Sequence, residues 1–247
     1  MGLISIISKF LRTGVFDPLT ASAYVLSALL VIFLVTPLHE CAHAFAAYKL
    51  GDPTAKNMGR LSLNPFRHID WIGAALIMAV GFGWANPVPV NSRNFRNPKG
   101  GMALTALAGP VSNLLAATIS LFFSNLVFFT RDSWAVTRTA YAIYMILQYF
   151  FIYFAEINIA LAVFNLIPIP PLDGSRLLTA LLPDRIYYKL MAYERYISFL
   201  LIAVVVFGLL DYPLSYLSTV IFKGLSAVAA LPFGGQNGQA FLQAGCL

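Results

Sequence analysis

The chain has 247 residues, 59% of them hydrophobic and only 11% charged. A soluble domain averages roughly 25% charged, so this composition excludes a soluble enzyme and indicates an integral membrane protein. The formal net charge of +6 comes from basic residues in short loops between apolar segments, which orient a protein in a membrane and offer no basic face to nucleic acid.

Residues 1–18 carry Lys9 and Arg12 among Leu, Ile and Phe, and read as an amphipathic interfacial segment, not a cleavable signal. Long apolar segments near 21–50, 102–129, 139–169 and 195–211 predict four membrane spans. Weaker runs at 71–83 and 214–232 extend the count to about four to six segments. The first of these is too short to cross, holds three glycines and is read as re-entrant or packed at the interface. The second is interrupted by Lys223 and either spans or lies flat. The glycine-rich residues 233–247 predict a flexible tail. The expected fold is an all-α polytopic helical bundle, one membrane-embedded domain over 19–232 with its core in 21–182, and with a short extended, β-like segment near 84–91. The two cysteines, Cys41 and Cys246, make a disulfide framework improbable.

Lys49, Lys56, Arg60, Arg67, Arg93, Arg96 and Lys99 follow the first span, and Arg176, Arg185, Lys189 and Arg195 follow the third. The opposite side has Lys9, Arg12, Arg131 and Arg138. The positive-inside rule places the first group in the cytoplasm.

The first span contains His39-Glu40-Cys41-Ala42-His43. Helical residues four apart share a face, so both imidazoles can meet one tetrahedral Zn²⁺ while Glu40, one step round, reaches water as a general base. Ionisable groups near the centre of a lipid-facing helix cost about 2 kcal/mol or more each, so three within one and a half turns need a common explanation. With Lys49 at the cytoplasmic interface, the helical rise puts His43 about 9 Å and His39 about 15 Å below it. Cys41 points off the histidine face and reads as a small buried apolar residue.

A catalytic zinc site takes three protein ligands and keeps one position open. Asp173 is the best third candidate. It follows Asn165-Leu166-Ile167-Pro168-Ile169-Pro170-Pro171-Leu172, whose prolines unwind the end of the third span and let a carboxylate turn inward. The alternative is that Asp173 N-caps a short helix over 174–182.

Four further stretches accompany the histidine motif: Asn64-Pro65-x-x-His68-Ile69-Asp70, Gly83-Trp84-Ala85-Asn86-Pro87-Val88-Pro89-Val90, Ala108-Gly109-Pro110-x-x-Asn113 and Pro170-Pro171-Leu172-Asp173-Gly174. In this set and order the chain closely resembles the site-2 protease family of intramembrane zinc metalloproteases, over most of residues 30–182. The resemblance implies one Zn²⁺ per chain, held by His39, His43 and Asp173, with Glu40 activating water. It implies that Asn113 lies at the active site. Asn158 and Asn165 match family positions near the site, and Asn165 is placed among the substrate contacts. No appended regulatory domain of the kind many relatives carry is expected, so control would come from substrate availability or a partner of unknown identity.

The expected reaction is hydrolysis of a peptide bond within or near the transmembrane segment of a membrane-protein substrate, in a polar cavity nearer the cytoplasmic side. Asn113 either donates to the oxyanion or makes an interhelical hydrogen bond. An unwound substrate needs new backbone partners, and Val88-Pro89-Val90 is suited either to strand addition or to a proline-rich turn over the site. His68 reads as a hydrogen-bonding neighbour of the ligands, a proton relay or an interfacial residue beside Arg67 and Asp70. Glu156 is read as structural. A metal transporter or sensor, or a scaffold that binds transmembrane segments, would be the rival functions; intact Glu40 and the absence of a row of further polar ligands count against both.

Overall fold

The structure, a computed structural model, describes residues 2–81 and 83–235. It is a helical bundle, and among the described residues there is no strand. Helix α1 (Leu3–Thr13) leads into α2 (Pro18–Lys49), which starts with Asp17 accepting from the amides of Leu19 and Thr20 and with Pro18 in the first turn. Pro37 has no N–H and would clash with the carbonyl four residues back. The helix absorbs this in a π-helical turn, Val31–Val35, closed by Thr36 donating its amide and its hydroxyl to the Val31 carbonyl. The widened turn lies just before His39 and sets the phase of the histidine face.

Helix α3 (Trp71–Val80) is ten residues long, too short to cross. Asp70 caps its start, and Tyr24 of α2 donates to the Ile77 carbonyl near its end. The chain on either side of α3 is closed by an antiparallel bridge, Ile69 with Ala85, and by Asn86 N–H donating to the His68 carbonyl. Trp71–Val80 is therefore a short helix whose flanking segments come back beside one another at Ile69 and Ala85. The 84–91 stretch is non-helical, and that one bridge is its β-like feature.

Helices α4 (Pro98–Trp134) and α5 (Arg138–Asn165) are long and apolar enough to span, as is α2. Small residues let them approach: Ala117 of α4 packs with Ala155 and Ile159 of α5, and Ala23 and Ala28 of α2 sit in a cluster with Tyr153, Phe154 and Ile157 of α5. Serine hydroxyls bridge the same seams, Ser27 to the Phe150 carbonyl and Ser120 to the Phe151 carbonyl, at 2.8 and 2.7 Å.

After α5 come α6 (Asp173–Leu181), α7 (Asp184–Ala192), α8 (Glu194–Val206) and α9 (Asp211–Ala230). The expected span at 195–211 is corrected here: α8 has 13 residues and ends before Gly208, whose φ of 69° turns the chain. The fourth helix long enough to cross is Asp211–Phe233, with Lys223 inside it. The reassignment keeps Arg176, Arg185, Lys189 and Arg195 between α5 and α9, on the side that holds the loop from α2 to α4. The predicted tail lies, from residue 236 on, outside the described residues.

Candidate metal centre

His39 and His43 lie one turn apart on α2, at 8% and 5% exposure, with their rings edge to face and 4.7 Å between centroids. Each Nδ1 is engaged on the far side: His43 Nδ1 donates to the Thr105 carbonyl at 2.7 Å, and His39 Nδ1 faces Asn113 Oδ1 at 3.3 Å. Both acceptors belong to α4. A donating Nδ1 fixes the tautomer and leaves the Nε2 lone pair for a ligand.

The two Nε2 atoms are 3.1 Å apart, and Asp173 Oδ2 lies 3.1 Å from His43 Nε2 and 3.3 Å from His39 Nε2. Ligand bonds of about 2.1 Å in a tetrahedron put donor atoms about 3.4 Å apart, so this N, N, O triangle has the size a zinc ion requires. Among the described residues these three form the one group of this kind. Gly109 of α4 completes the cradle. A Cβ there would clash with His43 Nε2 and lie 2.6 Å from both Cε1 and Nε2 of His39.

Asp173 reaches the histidines because α5 stops at Asn165 and the proline-rich turn brings α6 back against α4. Gly174 allows the return, since a Cβ there would strike the carbonyls of Leu166 and Ile167. The helix-cap alternative for Asp173 falls away: Leu172 holds the cap position, and the Asp173 carboxylate turns to the imidazoles. Burial opposes its ionisation, but His43 and His39 hold the carboxyl well below the usual carboxylate range.

Glu40, 6% exposed, accepts from the Val88 N–H through Oε2 at 2.9 Å. It lines a cavity of about 40 Å³ with His43, Pro87, Val88, Val90, Thr105, Ala106, Asp173 and Arg176, room for on the order of one to three waters. Glu40, the triad and the cavity thus meet at the contact of α2, α4 and α6.

The other predicted residues divide. Val88 and Val90 line the cavity, but Pro89 and Asn165 do not. Val88 packs its side chain on Ala44 and Ala55, its N–H is taken by Glu40, and Arg60 holds the carbonyls of Asn86 and Pro87. A substrate strand would therefore find free pairing groups only from the Val88 carbonyl onward. Asn158 is buried on α5 and donates to the Phe154 carbonyl. Cys41 is half-buried and outside the metal group. His68 is fully buried, with Nε2 on the Ser62 carbonyl at 2.7 Å, so it locks the 62–68 loop and is not an exposed interfacial residue. Burial pushes its imidazole below the ordinary range.

Groups at the site that the sequence does not single out include the Thr105 carbonyl, Gly109, Ala106 and Arg176, and beyond the cavity Asp52. Gly109 stands in the Ala108-Gly109-Pro110-x-x-Asn113 motif, and Arg176 is three residues after Asp173, on the same helical face. Asp52, fully buried, accepts from Thr54 N–H and hydroxyl, from Asn94 Nδ2 and from Asn91 N–H. Burial opposes its ionisation, but these bonds together hold its carboxyl below the usual range.

Against known proteins, the family model of peptidase family M50 matches residues 27–209, which contain every residue of the triad and the cavity. The chain is 42% identical over 194 residues to YwhC of Bacillus subtilis (strain 168), a protein described as a candidate zinc metalloprotease; the match covers 77% of this chain and 84% of that one. It is 28% identical over 142 residues to Rip2 of Mycolicibacterium smegmatis, described in the same terms, covering 56% of this chain and 50% of the relative. No solved structure matches.

Proposed function

Because the chain belongs to peptidase family M50 and is a membrane-embedded metalloprotease, we propose that it hydrolyses a peptide bond within or near the transmembrane segment of a membrane-protein substrate, with Glu40 as general base and one zinc ion held by His39, His43 and Asp173. The observation that carries this reading is the convergence of His39 Nε2, His43 Nε2 and Asp173 Oδ2 within 4.8 Å, beside a buried glutamate in a water-sized cavity.

Zinc in this triangle would supply Lewis acidity and would bring the pKa of water towards about 7. The protein's own part is positional. Thr105 and Asn113 keep each Nε2 pointed inward. Val88 holds Oε2 of Glu40, leaving Oε1 to take a proton from water and return it to the leaving amine. Asn113 serves first as the group that orients His39. Arg176 places a cation in the same cavity, on the side of α6 that carries Asp173.

The loop from α2 to α4 and the segment from α5 to α9 hold most of the basic residues, so the positive-inside rule puts that side, and the nearer mouth of the site, in the cytoplasm. A substrate helix must unwind to expose its carbonyls. The test is zinc content measured together with cleavage of a model transmembrane segment by purified protein, wild type against Glu40→Gln. Zinc retained with cleavage lost supports the assignment; full cleavage by the variant refutes the base, and cleavage by metal-free protein refutes the metal.

A further inference from the structure

We infer that residues 86–94 form a strap that aims Glu40, with Val88 as the point of contact and Arg60 and Asp52 as positioning residues acting through it. The inference rests on the reading of Glu40 as the base.

The strap presents a single amide to the glutamate. Pro87 and Pro89 lack N–H groups and fix their own φ, so Val88 is the one backbone donor between Asn86 and Val90. That donor is 2.9 Å from Glu40 Oε2, in a buried setting where a hydrogen bond to a charged group is at its strongest. Either side of Val88 the strap is clamped. Upstream, Arg60 donates through Nη2 to the Asn86 carbonyl at 2.6 Å and the Pro87 carbonyl at 3.3 Å. Downstream, Asp52 accepts from Asn91 N–H and from Asn94 Nδ2, both at 2.7 Å. Between the clamps, the Val88 side chain is seated on Ala44, one residue from His43.

The clamps follow closely on the helix that carries Glu40. Asp52 N–H donates to the Ala47 carbonyl in the last turn of α2, and Arg60 N–H donates to the Ala55 carbonyl in the short helix Thr54–Asn57 that comes next. Glu40 is therefore held from two directions: by its own backbone in α2, and by a strap tied through Asp52 to the end of α2 and through Arg60 to the short helix that follows it. A carboxylate on a flexible side chain loses reach if either tie is cut, although neither Arg60 nor Asp52 lines the cavity that Glu40 shares with His43 and Asp173.

The test removes the donor without changing the side chain. Val88 is replaced by its α-hydroxy analogue, which turns the amide into an ester, in the full-length zinc-loaded enzyme. We expect kcat to fall about 10- to 100-fold, the range for a lost hydrogen bond to a charged group, with KM within about twofold and zinc content unchanged; Arg60→Ala and Asp52→Ala should lower kcat in the same sense. A purely structural role would instead reduce zinc retention and KM performance together. A second measurement does not depend on the strap variants folding: in Glu40→Ala protein, deuterium uptake by a peptide covering 86–91 should rise by about one site. Wild-type kcat in the ester enzyme, or unchanged uptake in Glu40→Ala, overturns the inference. Glu40→Gln, assayed beside them, separates the two readings: an inactive Glu40→Gln with a fully active ester enzyme leaves the base and removes the strap, whereas an active Glu40→Gln removes the base and the strap's purpose with it.

Discussion

Gly109→Ala should empty the metal centre while leaving the helix that carries it intact. The added methyl would clash with His43 Nε2 and lie 2.6 Å from both Cε1 and Nε2 of His39, far inside the roughly 3.5–4.0 Å at which carbon makes a favourable contact. The imidazoles cannot simply retreat, because each Nδ1 is tied to α4, the same helix that bears the methyl. Disturbing the groups that merely orient metal ligands costs 10- to 100-fold in affinity; a group lying on the ligand atoms themselves should reach the upper end, about 100-fold, which is about 2.7 kcal/mol. Helix propensity runs the other way: alanine is favoured over glycine by up to about 1 kcal/mol in a helix interior, partly offset because Pro110 crowds a Cβ on the residue before it. Zinc content by elemental analysis and affinity by chelator competition should therefore drop sharply, while the metal-free protein unfolds within a few degrees of wild type. Wild-type zinc affinity in Gly109→Ala would refute the placement of the ion between the two Nε2 atoms.

Three further outcomes follow from the site. Glu40→Gln should lower kcat by about 10²- to 10⁴-fold, the usual contribution of a general base, with zinc retained; steady-state cleavage of a labelled transmembrane peptide reads it. Asn113→Leu, which removes the Oδ1 acceptor from His39, should weaken zinc binding about 10- to 100-fold in the same chelator titration. For His68, burial holds the folded pKa below the ordinary 6.5, so the unfolded loop binds a proton more readily than the folded one. Its contribution is fully present above pH 6.5 and is lost as the pH falls towards the folded value. Amide exchange over 59–70, corrected for the intrinsic rate, should quicken below pH 6.5 in wild type and lose that dependence in His68→Gln.

The readable parts of the sequence were those where a single helix carries the signal. His39, Glu40 and His43 are one turn of α2, and their mutual geometry follows from the 3.6-residue repeat. Asp173 was readable because Pro168, Pro170 and Pro171 announce where α5 must stop. The span at 195–211 was misread because an apolar run reports burial in lipid or protein without reporting helix length; Gly208 breaks the run, and α8 packs as a short helix whose Leu201 joins Phe164 and Leu172. The extended reading of 84–91 did not include the part of its hydrogen-bonding capacity that is taken up inside the protein, by Glu40, Arg60 and His68.

What the sequence could not display is that the centre is organised largely by backbone atoms. The Thr105 carbonyl sets the tautomer of His43, the Val88 amide sets the direction of Glu40, and the bare Cα of Gly109 leaves room beside the two imidazoles. Only the last leaves a residue-type signature, because a carbonyl or amide is present at nearly every position. Their selection depends on which turns of α4 and of the 86–94 strap face α2, and that is a property of packing. Small residues and prolines do carry a trace of it. Gly109 and Pro110 let α4 approach the histidines, and Pro87 and Pro89 leave Val88 as the one donor in reach, so the motifs that lack side-chain chemistry are the ones that place the backbone. Changing those residues should damage catalysis through geometry, with the triad and Glu40 chemically unaltered.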